Sequence, residues 1–142
     1  MQIVRALARR IAPVAHQNVV AVFVFDATRA RLLRHAIVDG RELPVSEIDL
    51  GDFESYAART LRERREICID SEFGGRPAAR IPGTDVTHSM WFGPITRGED
   101  LLGVLSVQSS HLAAYGEPER AQFRILADEV SRALVASRDV RK

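Results

Sequence analysis

The chain has 142 residues, of which 46% are hydrophobic and 27% charged, so it is long enough for one globular domain over 1–142 and too apolar for a disordered tail. No apolar run approaches the roughly 20 residues that span a bilayer, and the opening MQIVRALARR lacks the apolar core and small-residue cleavage site of a secretory signal. With 20 basic against 19 acidic residues the net charge is +1, which gives no general attraction to nucleic acid and leaves a cytoplasmic module, alone or within something larger, as the expectation.

Residues 2–12 place Ile3, Val4, Leu7, Ala8 and Ile11 at helical spacing, and Pro13 ends the run. Val19–Asp26 (VVAVFVFD) is β-branched and aromatic on both alternating faces, the pattern of an inner strand covered above and below. A short connection leads to Arg31–Val38, whose Arg31, Arg34 and His35 suit an edge strand, where charge discourages pairing between sheets. Asp39-Gly40 is a turn, and 41–51 reads as loop.

Asp52 is a candidate cap for a helix reaching about Arg65, with Phe53, Tyr56, Ala57, Thr60, Leu61 and Arg64 on one face. Arg59, Arg62, Arg64 and Arg65 alternate with Glu63 and Glu66 and read as a solvated surface. Ile67–Ile69 is a short strand, and Cys68 within it, as the single cysteine, excludes an internal disulfide and reads as a small buried hydrophobe. Residues 71–88 show neither strand nor helix period, and a stretch of that kind is usually functional or mobile. Met90–Ile95 and Leu101–Ser109 form a hairpin through Arg97-Gly98-Glu99-Asp100, the second strand again apolar on most of both faces. A last helix opens at Glu117-Pro118 and runs to about 137, with Phe123, Leu126, Ala127, Val130, Ala133 and Leu134 as its apolar stripe.

The segment Ser89–Leu134 resembles a GAF domain in SMWFGPI, in the Gly98 turn, in LLGVLSVQS and in AYGEPERAQFRILADEVSRAL. Pro94-Ile95, Gly103-Val104-Leu105 and Tyr115-Gly116-Glu117 stand where that family carries its motifs, while residues 19–70 match in order and spacing only. The resemblance implies an α+β fold. It has one antiparallel sheet of about five strands in the order 2-1-5-4-3. The terminal helices lie on one face, and a helix with the long loop covers a ligand pocket on the other. It implies a regulatory sensor that binds a small molecule and passes the signal through its terminal helices to an output domain or partner. A homodimer through those helices, built on Ile3, Leu7 and Ile11 with the C-terminal helix, is also expected, unless these residues only cover the sheet. The alternative function is a structural homodimerisation module without a functional ligand pocket.

Ligand signatures known from the family are absent. The Asn-Lys pair of cyclic-nucleotide binders does not occur, and Phe123 is one residue too far from Asp128-Glu129 for that pattern. Cys68 is followed by Ile69 where bilin-binding relatives often have His, and free methionine sulfoxide reductases use several cysteines. Of His16, His35, His88 and His111, only His88 ends the long loop and begins a strand; a loop residue bonded to backbone is the favoured reading there, and a ligand contact the alternative. Neither GxSxG nor HExxH occurs, and Asp85, His88 and Ser89 are near one another in sequence only, so no catalytic residue and no metal site are expected. The expected pocket has Phe53, Tyr56 and Thr60 as one wall and Trp91, Ser106 and Gln108 facing it from the sheet, with Ser89 on the same strand face as Trp91 and His88 just before it. The alternative is that one or both strand parities are reversed and these residues face the terminal helices. The ligand, and with it any cofactor, is unknown from sequence.

Overall fold

The computed structural model describes residues 2–13, 17–70, 89–111 and 114–140, with side chains over 3–13, 17–69, 89–111 and 114–136. In chain order the elements are α1 (Gln2–Ile11), β1 (Val19–Asp26), β2 (Arg31–Val38), β3 (Arg41–Glu42), β4 (Ser46–Asp49), α2 (Tyr56–Glu63), β5 (Ile67–Asp70), β6 (Ser89–Arg97), β7 (Asp100–Ser109) and α3 (Glu117–Val140). The strands make one antiparallel sheet in the order β3-β2-β1-β7-β6-β5, with β4 also pairing β2.

The expectation of about five strands in the order 2-1-5-4-3 is thereby corrected to seven strands in a longer order. Residues 41–49, read as loop, supply β3 and β4, so β2 is not an edge strand. The reason lies in Asp39-Gly40. Asp39 at φ 47° and Gly40 at φ 80° are both left-handed, the requirement of a two-residue turn that matches strand twist, and Val38 therefore pairs directly with Arg41. The chain then turns again and lays Ile48 opposite Leu32.

The two faces of the sheet carry separate cores. On one face Val20, Val22, Trp91, Ile95, Leu105 and Val107 pack under Val4, Leu7 and Ile11 of α1 and Phe123, Leu126, Val130 and Leu134 of α3. Burying one large aliphatic or aromatic side chain contributes about 1.5–3 kcal/mol, so this face holds the terminal helices by area alone. Ion pairs between Arg10 and Glu129 and between Arg5 and Glu42 add orientation at the exposed rim. On the other face Ala21, Phe23, Leu32, Ala36, Met90, Phe92 and Val104 pack against Ala57, Ala58 and Leu61 of α2. Leu102 joins the terminal-helix side with Leu105 because a register shift falls beside it: Ile95 pairs Gly103 while Thr96 pairs Leu101.

Helix α2 is shorter than the sequence suggests. Its cap is Ser55, not Asp52, with the Ala58 N–H donating to Ser55 Oγ at 3.1 Å, and it ends at Arg64 in the left-handed region, φ 54°. Asp52 instead accepts from the Glu54 N–H at 2.9 Å, closing a turn that delays the helix. Cys68 is exposed, which corrects its expected burial: it faces outward on β5, the last strand of the sheet, with an Arg120 Nη1 at 3.8 Å. The segment 71–88, expected as a long loop over the pocket, lies outside the described residues.

Candidate ligand pocket

The face under α2 is not filled. Between α2 and the sheet lies a cavity of about 220 Å³. Its floor follows from strand register. Val19, Gln108 and Met90 form one cross-strand row, Ala21, Ser106 and Phe92 the next, and Phe23 stands opposite Arg34. Ile48 of β4 closes one side, and Glu54, Ser55, Tyr56 and Ala57 at the start of α2 form the roof. The volume exists because the small residues Ala21 and Ala57 line it, where larger aliphatics would close the gap between α2 and the sheet.

Most of the lining is apolar, with Tyr56 and Phe92 rings 5.7 Å apart at 38°. The polar groups are few, as a small-molecule site requires. Gln108 is buried, and its Nε2 donates to Ser106 Oγ at 3.4 Å. Ser55 Oγ is occupied by its capping bond. Arg34 brings a cation whose Nε is buried without a hydrogen-bond partner.

Of the expected site residues, Tyr56, Ser106 and Gln108 come together on this face: Tyr56 and Gln108 line the cavity and Ser106 sits fully buried in its floor. Phe53 does not join them. It is 89% exposed in the turn before α2, with the Arg62 guanidinium 5.4 Å from its ring centre. Thr60 is buried, and its hydroxyl donates to the Tyr56 carbonyl at 2.8 Å inside the helix. Trp91 is a correction. It lies on the terminal-helix face, 5.3 Å from the Phe123 ring. Met90 pairs with Gln108, so Met90 and Phe92 are the residues of β6 that share the pocket face, and Trp91 alternates to the other side. Ser89 shares that parity. Its hydroxyl donates to the His111 carbonyl at 2.7 Å and accepts from the Ala114 N–H at 3.1 Å, tying the approach to α3. His88 lies outside the described residues.

Trp91 borders a second depression of about 280 Å³ between β6 and α3, lined also by Arg64, Arg65, Glu66, Arg124 and Asp128. This one is an ion-paired seam. Glu66 accepts from Trp91 Nε1 at 2.9 Å and from Arg124 Nη2 at 3.1 Å, while Asp128 takes Arg97 at 3.0 Å and Arg132 at 2.7 Å. Burial opposes ionisation of Glu66, yet the hydrogen bonds from Arg124 and Trp91 outweigh it and hold the carboxyl below its ordinary range. His35 lies on the terminal-helix face by parity with Ile37, and burial pushes its imidazole below the ordinary value. Among the described residues no three His, Cys, Asp or Glu side chains are grouped to hold a metal.

Arg34 is the pocket residue that sequence reasoning assigned elsewhere, as a guard on an edge strand. The signal that finds it is its place between Leu32 and Ala36, both fully buried on the same face.

The sequence matches the model of the GAF domain family over residues 2–135. The chain belongs to the GAF domain family. Its α+β fold, one antiparallel sheet with three helices, is that of solved GAF domains. The GAF domain of a two-component sensor histidine kinase from Bacillus halodurans is 15% identical and superposes at TM-score 0.76, with 99% of this chain and 97% of that one covered. The GAF-B domain of DevS from Mycobacterium smegmatis is 16% identical, TM-score 0.69, covering 99% and 96%. A type II free methionine-R-sulfoxide reductase from Thermoplasma acidophilum is 19% identical, TM-score 0.70, covering 96% and 90%. No match to a curated protein sequence was found. GAF domains are regulatory sensor modules of signalling proteins, and the fold also occurs in enzymes such as the last of these relatives. No helix among the described residues is long and apolar enough to cross a membrane.

Proposed function

We propose that this GAF domain is a cytoplasmic sensor module, one unit over 1–142, that binds a small molecule in the cavity under α2 and passes the event to an output domain or partner through α1 and α3. The observation that carries the reading is the cavity itself, about 220 Å³ of unfilled space on the face opposite the terminal helices. The pocket floor and the seat of those helices are two faces of the same strands. Ala21 and Phe23 of β1 line the cavity, while Val20 and Val22 beside them touch the terminal-helix core. A ligand that spreads or flattens the floor therefore shifts the helices' seat, because a packed core moves as a unit.

A catalytic role has less support. Cys68 pairs with Trp91 on β5, which places it on the opposite face of the sheet from the cavity, and the sequence holds no second cysteine. A second reading is the pairing of two copies through the terminal helices, a contact that would cover Ile125, 51% exposed on the outer side of α3.

The test is thermal denaturation of the chain against a metabolite panel, repeated with Ala57→Met, which fills the cavity from α2. A ligand at 100 times its Kd stabilises by about 2.7 kcal/mol and raises Tm by several degrees. Stabilisation present in the native chain and lost in Ala57→Met supports the reading. Stabilisation that survives the filled cavity places the ligand elsewhere and overturns it.

A further inference from the structure

A donor shielded from water is costly unless a hydrogen bond compensates it. Arg34 is half-buried in the lining of the cavity. Its Nε is shielded from solvent without a hydrogen-bond partner. The strand beside it offers no acid on this side. Arg34 pairs with Ser46 and Leu32 with Ile48, so those residues share its face, while Glu47 alternates to the other and is held by Arg29 at 2.7 Å. Asp49 accepts from the Gly51 N–H at 2.8 Å. Across β1 the partner of Arg34 is Phe23. Among the described residues of the lining the one acid is Glu54, exposed at the rim, and no ion pair joins it to Arg34. Among the described residues the guanidinium therefore has no ion-pair partner in the wall of this largely apolar cavity.

Resting on the pocket reading above, we infer that the ligand is a small organic anion: a carboxylate on a ring-sized or branched apolar body. The planar guanidinium presents a fork of donors matched to a carboxylate, and Gln108 adds an amide beside the same floor. Phe23, Tyr56, Met90 and Phe92 surround the apolar part. The volume of about 220 Å³ lies below the roughly 300–1,000 Å³ of drug-sized sites, which fits a single ring or short branched chain and excludes a nucleotide. One cation against one rim acid favours a monoanion over inorganic phosphate.

The experiment titrates the full chain by calorimetry with matched pairs: benzoate and benzamide, phenylacetate and phenylacetamide, 4-methylpentanoate and its amide, with inorganic phosphate and phenethylamine as further arms. At least one acid is expected to bind about tenfold or more tighter than its amide, a difference of roughly 1.4 kcal/mol. Arg34→Gln brings that ratio to about one, Arg34→Lys retains part of it, and Glu54→Gln tightens the acid by removing a like charge. Acid and amide binding alike, with Ala57→Met abolishing both, keeps the pocket and overturns the anion. Preference for phenethylamine or for inorganic phosphate overturns it as well. Binding by no member of any pair, or binding indifferent to Ala57→Met, removes both the anion and the pocket.

Discussion

Gly103 shows how single atoms set the sheet's tolerances. A Cβ built there would stand 2.0 Å from the Phe23 carbonyl oxygen, a backbone atom of the neighbouring inner strand that has no rotamer to change. Gly103→Ala is therefore expected to cost about 1–3 kcal/mol, read as a lowered urea midpoint at constant m-value. Glu66 carries a pH dependence. Its folded carboxyl sits below the ordinary 4.5, so its contribution is complete above that pH and is lost as pH falls through the lower folded value. Glu66→Gln should lower Tm at neutral pH, and the gap from the native chain should close as both are acidified from about pH 4.5 downward. A gap unchanged to pH 3 would refute the assignment.

The site was legible in part at this scale. Tyr56 was readable from its helical face, and Ser106 and Gln108 share one face of β7 by parity, although apolar residues on both faces leave open which one that is. Trp91 was not readable, because two apolar faces on β6 leave its parity undetermined until β7 fixes the register at Met90 and Gln108. Arg34 was masked by the same ambiguity in β2: a charge in a mixed strand reads as edge protection until β3 and β4 are seen to cover that edge.

At the scale of elements, the long segments were legible and the short ones were not. Inner strands β1 and β7 declare themselves by apolar residues on both faces, and α1 and α3 by their stripes. Strands of two and four residues, such as β3 and β4, offer too few alternations to show a period, although Asp39-Gly40 announces a hairpin turn. Helix α2 is short enough to depend on its ends. Ser55→Ala removes the bond to the Ala58 N–H and is expected to cost about 1 kcal/mol. Arg64→Gly relieves a left-handed residue at the other end and should return roughly 1 kcal/mol. Chemical denaturation of both variants checks the pair. Because α2 roofs the cavity, Ser55→Ala should also weaken any cavity ligand, while Arg64→Gly should not.

Across the whole molecule, the sheet joins a cavity on one side to the terminal helices on the other. Under the proposed reading, exposed Ile125 on α3 is a contact point for the receiver of the signal. If that receiver is a second copy, Ile125→Glu converts a dimer to a monomer in analytical ultracentrifugation without lowering Tm. An unchanged mass would leave the helices to contact a different partner.

The coupling of pocket to helices is tested most directly by two-dimensional NMR of the labelled chain during titration with the acid that binds best. Saturable shifts should concentrate on Ala57, Met90 and Gln108, with smaller ones on α1 and α3 at the same saturation. Shifts gathered instead around Trp91 and Arg124, in the ion-paired seam beneath α3, would contradict the account.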